Sequence, residues 1–288
     1  MSNISRRRLI QSTVAGTVLA YTSQSAMSQT DAPIQRKGRI HQSVCRWCYP
    51  KTSLEDLCAY SARIGLKAVD LLKPEEYLIP QRYGLVCSMG YAGAGDIPNG
   101  LNRLENHDKI EAAFRENIPL AAKAKVPNVI TFSGNRKGMS DEEGARNTVI
   151  GLNRVKKIAE DNNVTICVEL LNSKVNHKDY MCDHTAWGVD VMKQVNSTHV
   201  KLLYDIYHMQ IMEGDIIRTI QENIQWLGHF HTGGVPGRHE LDNTQEVQWD
   251  GVMRGILATG FNGYVAHEFV PAADPFTSLR QAADLCDV

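Results

Sequence analysis

Thr165-Ile166-Cys167-Val168-Glu169-Leu170 is an apolar run that closes on a carboxylate. Its branched residues read as a strand, and a charge at the end of such a run is costly unless it is paired or bound to a cation. The same form recurs in Lys201-Leu202-Leu203-Tyr204-Asp205, in Gly228-His229-Phe230-His231 and in Tyr264-Val265-Ala266-His267-Glu268-Phe269. Upstream, Ile40–Val44, Ala68–Leu72, Leu85–Met89 and Val129–Phe132 also read as strands. Helical stretches separate these runs, which is the sequence form of repeated βα units. The expectation is an α/β fold, a single (β/α)₈ TIM barrel. An open doubly wound sheet is the alternative. The first βα turn lacks G-x-G-x-x-G, which weakens a dinucleotide-binding version of it.

The helices carry local start signals. Ser53 to Asp56 and Ser140 to Glu143 match the capping pattern that places a hydroxyl and a carboxylate three residues apart. Asp108 to Lys125 has Ile110, Phe114 and Ala121 at helical spacing, and Pro119 is expected to bend or break that helix.

In a barrel the C-terminal strand ends converge on one face, where active sites lie. Glu169, Asp205, His231 and Glu268 end the last four predicted strands, so they are expected to meet there. Three carboxylates and an imidazole repel one another without a cation. With a divalent ion they form a hard set of three oxygens and one nitrogen, suited to Mn²⁺ or Mg²⁺, with Zn²⁺ and Co²⁺ also open. Period-two alternation puts His229 on the strand face of His231, either supporting the site or as a core histidine.

The chain has 288 residues and 43% hydrophobic content, enough for a core and against general disorder. The formal net charge of −1 leaves no overall basic footprint for nucleic acid or acidic membrane. The start differs in character. Ser5-Arg6-Arg7-Arg8-Leu9-Ile10 is basic, Thr13 to Tyr21 is weakly apolar, and Ala26-Met27-Ser28 suits cleavage. This is a signal layout, and the arginine pair points to the twin-arginine route. The expectation is a signal over residues 1–28, a barrel domain over 29–288 and a folded periplasmic protein. The apolar run is shorter than the roughly 20 residues that span a bilayer, so no stable membrane insertion is expected after signal removal. The seven cysteines are an odd number, a poor disulfide framework. Cys45 and Cys48 have CxxC spacing without a second pair, and the cysteines read as core residues.

The longer motifs carry a resemblance. Gln42-Ser43-Val44-Cys45-Arg46-Trp47-Cys48-Tyr49, Phe132-Ser133-Gly134-Asn135-Arg136, Glu169-Leu170-Leu171-Asn172-Ser173-Lys174, Tyr204-Asp205-Ile206-Tyr207-His208-Met209-Gln210 and the stretch from His229 to Glu240 resemble hydroxypyruvate isomerase family barrels. The likeness runs from about Ile40 to the C-terminus. It implies a member of the wider sugar isomerase and epimerase barrels, with a metal held by Glu169, Asp205, His231 and Glu268. It also implies Glu169 and Glu268 as the acid–base pair, and His208 and Arg238 as substrate contacts. The predicted signal is a departure from familiar members, which are mostly cytosolic.

The implied chemistry is coherent. Aldose–ketose isomerisation removes a proton α to a carbonyl and returns one to the neighbouring carbon, through an enediolate whose oxygens a divalent ion can hold. Two carboxylates can relay the protons. Arg238 can pair with a substrate carboxylate, the alternative being an ion pair with nearby Glu240. His208 can donate to a substrate oxygen, the alternative being a loop hydrogen bond. Asn172 and Lys174 are candidate pocket residues, and His107, His177, His184 and Trp187 are weaker ones. The expected reaction converts hydroxypyruvate to 2-hydroxy-3-oxopropanoate, on a small hydroxy-keto acid or ketose substrate, with oligomeric state open. A ketose 3-epimerase or another sugar isomerase is the first alternative. A metal-dependent endonuclease needs a basic groove, which the balanced charge disfavours. A non-catalytic periplasmic binder has little need for a carboxylate pair.

Overall fold

The structure, a computed structural model, describes residues 33–288, so the predicted signal lies outside the described residues. Strands β1 (His41–Cys45), β2 (Ala68–Asp70), β3 (Val86–Cys87), β4 (Gly90–Tyr91), β5 (Asn128–Thr131), β6 (Thr165–Glu169), β7 (Val200–Asp205), β8 (Leu227–Thr232) and β9 (Tyr264–His267) form one parallel sheet. Its order is β3-β2-β1-β9-β8-β7-β6-β5-β4. A bridge between Leu72 and Gly90 joins the two ends, so the sheet is a nearly closed barrel. Helices α1 (Leu54–Arg63), α2 (His107–Lys123), α3 (Asp141–Asn162), α4 (Thr185–Val195), α5 (Ile206–Met212), α6 (Ile216–Asn223), α7 (Trp249–Ala258) and α8 (Pro275–Leu285) follow the strands. No described helix is long and apolar enough to cross a membrane.

The expected barrel is therefore present, with one strand altered. The run Leu85–Met89 becomes two short strands, interrupted at Ser88 and Met89. There the chain bonds to the turn after β2: Leu71, in left-handed backbone, donates its N–H to Met89 O at 2.8 Å. Gly90 is needed at the restart, because a Cβ there would lie 2.3 Å from the Tyr77 hydroxyl. That hydroxyl donates to Tyr91 O at 2.9 Å and ties the strand to the barrel rim.

The hydroxyl half of both capping patterns forms. Ser53 Oγ accepts from Asp56 N, and Ser140 Oγ accepts from Glu143 N, satisfying amides that a helix start leaves free. Helix α2 runs unbroken through Pro119, so the expected break does not occur. Buried Ile110, Phe114, Ile118 and Ala121 hold its inner face against the barrel, which offsets the hydrogen bond a proline removes.

Register decides what meets at the strand ends. Between β7 and β8 the pairing shifts at Leu202/Leu203, so that Leu202 faces Leu227 and Leu203 faces His229. This skips Gly228 and sets Asp205 opposite His231. Cys45 faces Asp70 across β1 and β2.

Candidate active site

Glu169 ends β6, Asp205 ends β7, His231 lies near the end of β8 and Glu268 follows β9. All four are buried, and one donor atom from each falls within 4.8 Å of the others. His231 Nδ1 lies 2.7 Å from Glu268 Oε2 and 3.4 Å from Glu169 Oε1. It nevertheless makes no aligned hydrogen bond, and so is a buried nitrogen without a partner. Buried polar groups are rarely left so. An unpartnered imidazole nitrogen facing three carboxylates fits a divalent cation of the hard-ligand type.

Arg238 supplies positive charge to this cluster. It sits in left-handed backbone after Gly237. Its Nη2 donates to Asp205 Oδ2 at 3.0 Å and to the Glu268 carboxylate, and its Nε donates to Glu268 O at 3.1 Å. The guanidinium lies against Trp47 and Tyr207, with ring centroids 5.4 and 5.1 Å away. The alternative partner, Glu240, is engaged elsewhere, accepting from Ala272 N, Ala273 N and Ser278 Oγ. The Trp47 indole N–H donates to Glu268 Oε1 at 2.6 Å.

These contacts drive the carboxyls apart. Burial raises Glu268, but Arg238 and His231 outweigh it and hold the group well below the usual carboxylate range. Burial lifts Glu169, with the nearby Glu268 charge adding to it against the pull of His231. Burial pushes Asp205 up to about 7 against the pull of Arg238. Separation of this kind equips neighbouring carboxyls for different proton roles.

His208 is placed in the first turn of α5, not in a loop, and is fully buried. Asp205 caps that turn, its Oδ1 accepting from His208 N at 3.1 Å. Asn172 Oδ1 accepts from Val175 N and Asn176 N, so its amide nitrogen is the end facing His208. His208 Nδ1 thus accepts from Asn172 N at 3.1 Å and from Asn172 Nδ2 at 2.6 Å. The ring proton then lies on Nε2, 3.5 Å from Asp205 Oδ2. Burial, reinforced by the Arg238 charge, keeps the ring neutral. Arg238 Nη1 is 3.1 Å from that Nε2.

A cavity of about 250 Å³ opens over the cluster. Glu169, Glu268, Arg238, His177 and Trp47 line its polar side, and Leu71, Tyr91, Ile97, Ile130, Phe132 and Leu171 its apolar side. His177 lies beside His208, with ring centroids 5.2 Å apart and the rings tilted by 54°. The other candidates lie away from this lining. Asn172 stands behind His208. The Lys174 ammonium donates to Ile211 O and Met212 O at the end of α5. His107 Nε2 pairs with Leu101 O, His184 with Asp183, and Trp187 Nε1 donates to Asp141 O. All seven cysteines are free and buried.

Asp70 and Trp47 were not singled out in the sequence. Asp70 is fully buried at the end of β2 and receives both His229 and His231 through their Nε2 atoms. Its signal was present, since Ala68-Val69-Asp70 also closes an apolar run on a carboxylate. His229 thus meets the site through Asp70.

Comparisons with known proteins agree with this architecture. Residues 81–286 match the family described as Xylose isomerase-like TIM barrel. The chain is 27% identical over 242 residues to 2-oxo-tetronate isomerase of Cupriavidus necator, spanning 80% of this chain and 92% of that protein. It is 25% identical over 239 residues to hydroxypyruvate isomerase of Escherichia coli, spanning 76% and 89% respectively. Among solved structures, an AP endonuclease, family 2, from Brucella melitensis superposes with a TM-score of 0.75 at 21% identity, covering 85% of this chain and 99% of that one. D-psicose 3-epimerase with D-tagatose from Clostridium cellulolyticum gives 0.68 at 20% identity, covering 86% and 98%; these two likenesses concern the fold. The chain belongs to the xylose isomerase-like TIM barrel family. It is an enzyme of the sugar isomerase and epimerase class.

Proposed function

We propose that this protein is a divalent-metal-dependent isomerase that interconverts hydroxypyruvate and 2-hydroxy-3-oxopropanoate, using Glu169 and Glu268 as its proton-transfer pair. The observation that carries this reading is the buried His231 Nδ1 left without a partner among three carboxylates, beneath a cavity walled by Arg238. Glu169, Asp205, His231 and Glu268 would hold the ion, Mn²⁺ or Mg²⁺ by their donor set. When bound, such an ion polarises the substrate carbonyl and acidifies the adjacent C–H bond.

The remaining chemistry belongs to the side chains. In the forward direction a proton leaves C3 of hydroxypyruvate and one returns to C2, while the hydroxyl proton passes from O3 to O2. Glu268, held ionised, takes the carbon-bound proton as base. Glu169 is the second carboxyl of the pair and returns a proton to the neighbouring carbon. Arg238, on the cavity wall with His208 beside it, receives the substrate carboxylate, and Trp47 keeps Glu268 in place. The relatives named for hydroxypyruvate and 2-oxo-tetronate support a short keto-acid substrate. The epimerase-like fold supports a ketose as the second reading.

Purified protein incubated with hydroxypyruvate and a ketose panel, with and without Mn²⁺, tests this. Metal-dependent aldehyde formation from hydroxypyruvate is expected. Inversion of ketoses with no action on hydroxypyruvate would instead establish the epimerase reading. We also propose delivery to the periplasm by the twin-arginine route, on the strength of Arg6 and Arg7 before a weakly apolar run.

A further inference from the structure

Asp70 lies outside the four-residue cluster, yet it is fully buried and makes contacts from both carboxylate oxygens. Oδ1 accepts from the Ser88 hydroxyl at 2.6 Å. Oδ2 lies 2.9 Å from His231 Nε2 and 3.1 Å from His229 Nε2, with Cys45 Sγ at 3.7 Å. A carboxylate accepts only, so each imidazole must present an N–H to it. For His231 this fixes the proton on Nε2 and turns the other nitrogen, Nδ1, toward Glu169 and Glu268. Without that acceptor, a neutral His231 is free to carry its proton on Nδ1, 2.7 Å from Glu268 Oε2. A proton there blocks the lone pair that a cation needs. Cys45, Asp70 and His231 also cluster closely enough to hold an ion of their own. Asp70, however, already takes donors from Ser88, His229 and His231, which marks it as a brace.

We propose that Asp70 is the positioning residue of the site, holding His231 by Nε2 so that Nδ1 is presented as a ligand to the divalent ion. The inference rests on the metal-site reading above. It deepens that reading by assigning a carboxylate–histidine–metal relay, a support that fixes ring orientation and raises ligand basicity. The shared oxygen adds a consequence. His229 competes with His231 for Oδ2 and carries a buried, unpartnered Nδ1 of its own. Its removal leaves His231 as the one imidazole on Oδ2.

The test is Mn²⁺ affinity of the substrate-free protein, measured by calorimetric titration beside the thermal midpoint of the metal-stripped form. Asp70→Asn keeps the shape and removes the charge. It is expected to weaken Mn²⁺ binding roughly 10- to 100-fold, with the metal-stripped midpoint preserved. His229→Leu is expected to hold the wild-type affinity to within about threefold, a readout that survives if Asp70→Asn does not fold. Wild-type affinity in a folded Asp70→Asn would overturn the assignment while leaving the metal site standing. A large loss of affinity in His229→Leu would overturn it too, by showing a general structural network. Absence of Mn²⁺ binding in the wild type would overturn both this inference and the metal-site reading.

Discussion

Arg238 grips Glu268 at two points, donating from Nε to its backbone carbonyl at 3.1 Å and from Nη2 to its carboxylate. One guanidinium therefore fixes the strand end and the charge of the side chain projecting from it. The remaining nitrogen, Nη1, lies 3.1 Å from His208 Nε2.

Arg238→Ala is expected to raise KM for hydroxypyruvate more than for neutral ketoses. Loss of a charge-assisted bond to a substrate carboxylate costs about 1.5–3 kcal/mol, roughly 10- to 150-fold in binding. The same change removes the cation that holds Glu268 low. A base that works ionised then titrates higher, so the acid limb of the rate profile should move to higher pH. Equal losses on charged and neutral substrates, with an unmoved limb, would assign Arg238 a purely structural role.

Glu169→Gln and Glu268→Gln retain shape and one oxygen donor but cannot act as bases. Each should still bind Mn²⁺ measurably while losing on the order of 10²- to 10⁴-fold in turnover. Solvent deuterium should enter the substrate carbon in the wild type and be suppressed in at least one variant. Exchange at the wild-type rate in both would reduce the glutamates to ligands and turn attention to His208.

Metal uptake should depend on pH. Burial pushes Asp205 up to about 7 in the metal-free protein, and an ion must displace its proton below that value. Apparent Mn²⁺ affinity should therefore fall by up to about tenfold per pH unit below 7 and level off above it as far as Asp205 contributes. Titrations at pH 6 and 8 check this, and identical affinities would count against it. Chelation should abolish turnover, and added Mn²⁺ should restore it.

Trp47→Phe keeps a ring beside Arg238 but deletes the N–H that Glu268 Oε1 accepts. A bond to an ionised group contributes about 1.5–3 kcal/mol, so kcat should fall by roughly tenfold or more. Trp47 is 41% exposed, and the thermal midpoint should barely move. An unchanged kcat would show the indole N–H to be idle.

Replacing Arg6 and Arg7 with lysine should hold the protein in the cytoplasm if export uses the twin-arginine route. Cell fractionation reads the outcome, and undiminished periplasmic delivery in the variant would refute that route.

Much of the barrel was legible because its strands are short apolar runs with a period the sequence displays directly, and each site carboxylate closes one of them. The interruption of the third strand at Ser88 and Met89 was not, since it depends on Tyr77 reaching Gly90 from a separate segment. Pro119 misled for a related reason. Its local cost is visible in the sequence, whereas the buried face of α2 that offsets it is not.

By itself the sequence determined the βα alternation, the caps at Ser53 and Ser140, and the strand ends at which Glu169, Asp205, His231 and Glu268 sit, because these follow from local periodicity and side-chain chemistry. Only the tertiary structure decided which nitrogen of His231 faces the carboxylates, that Arg238 spans Asp205 and Glu268 instead of pairing with Glu240, and that Lys174 caps α5 away from the cavity. Those outcomes depend on the register shift at Leu202/Leu203 and on contacts such as Asp70 to His231, formed between residues far apart in the chain. Hydrogen bonds act over about 3 Å, and no spacing along a sequence specifies a distance of that size across a barrel.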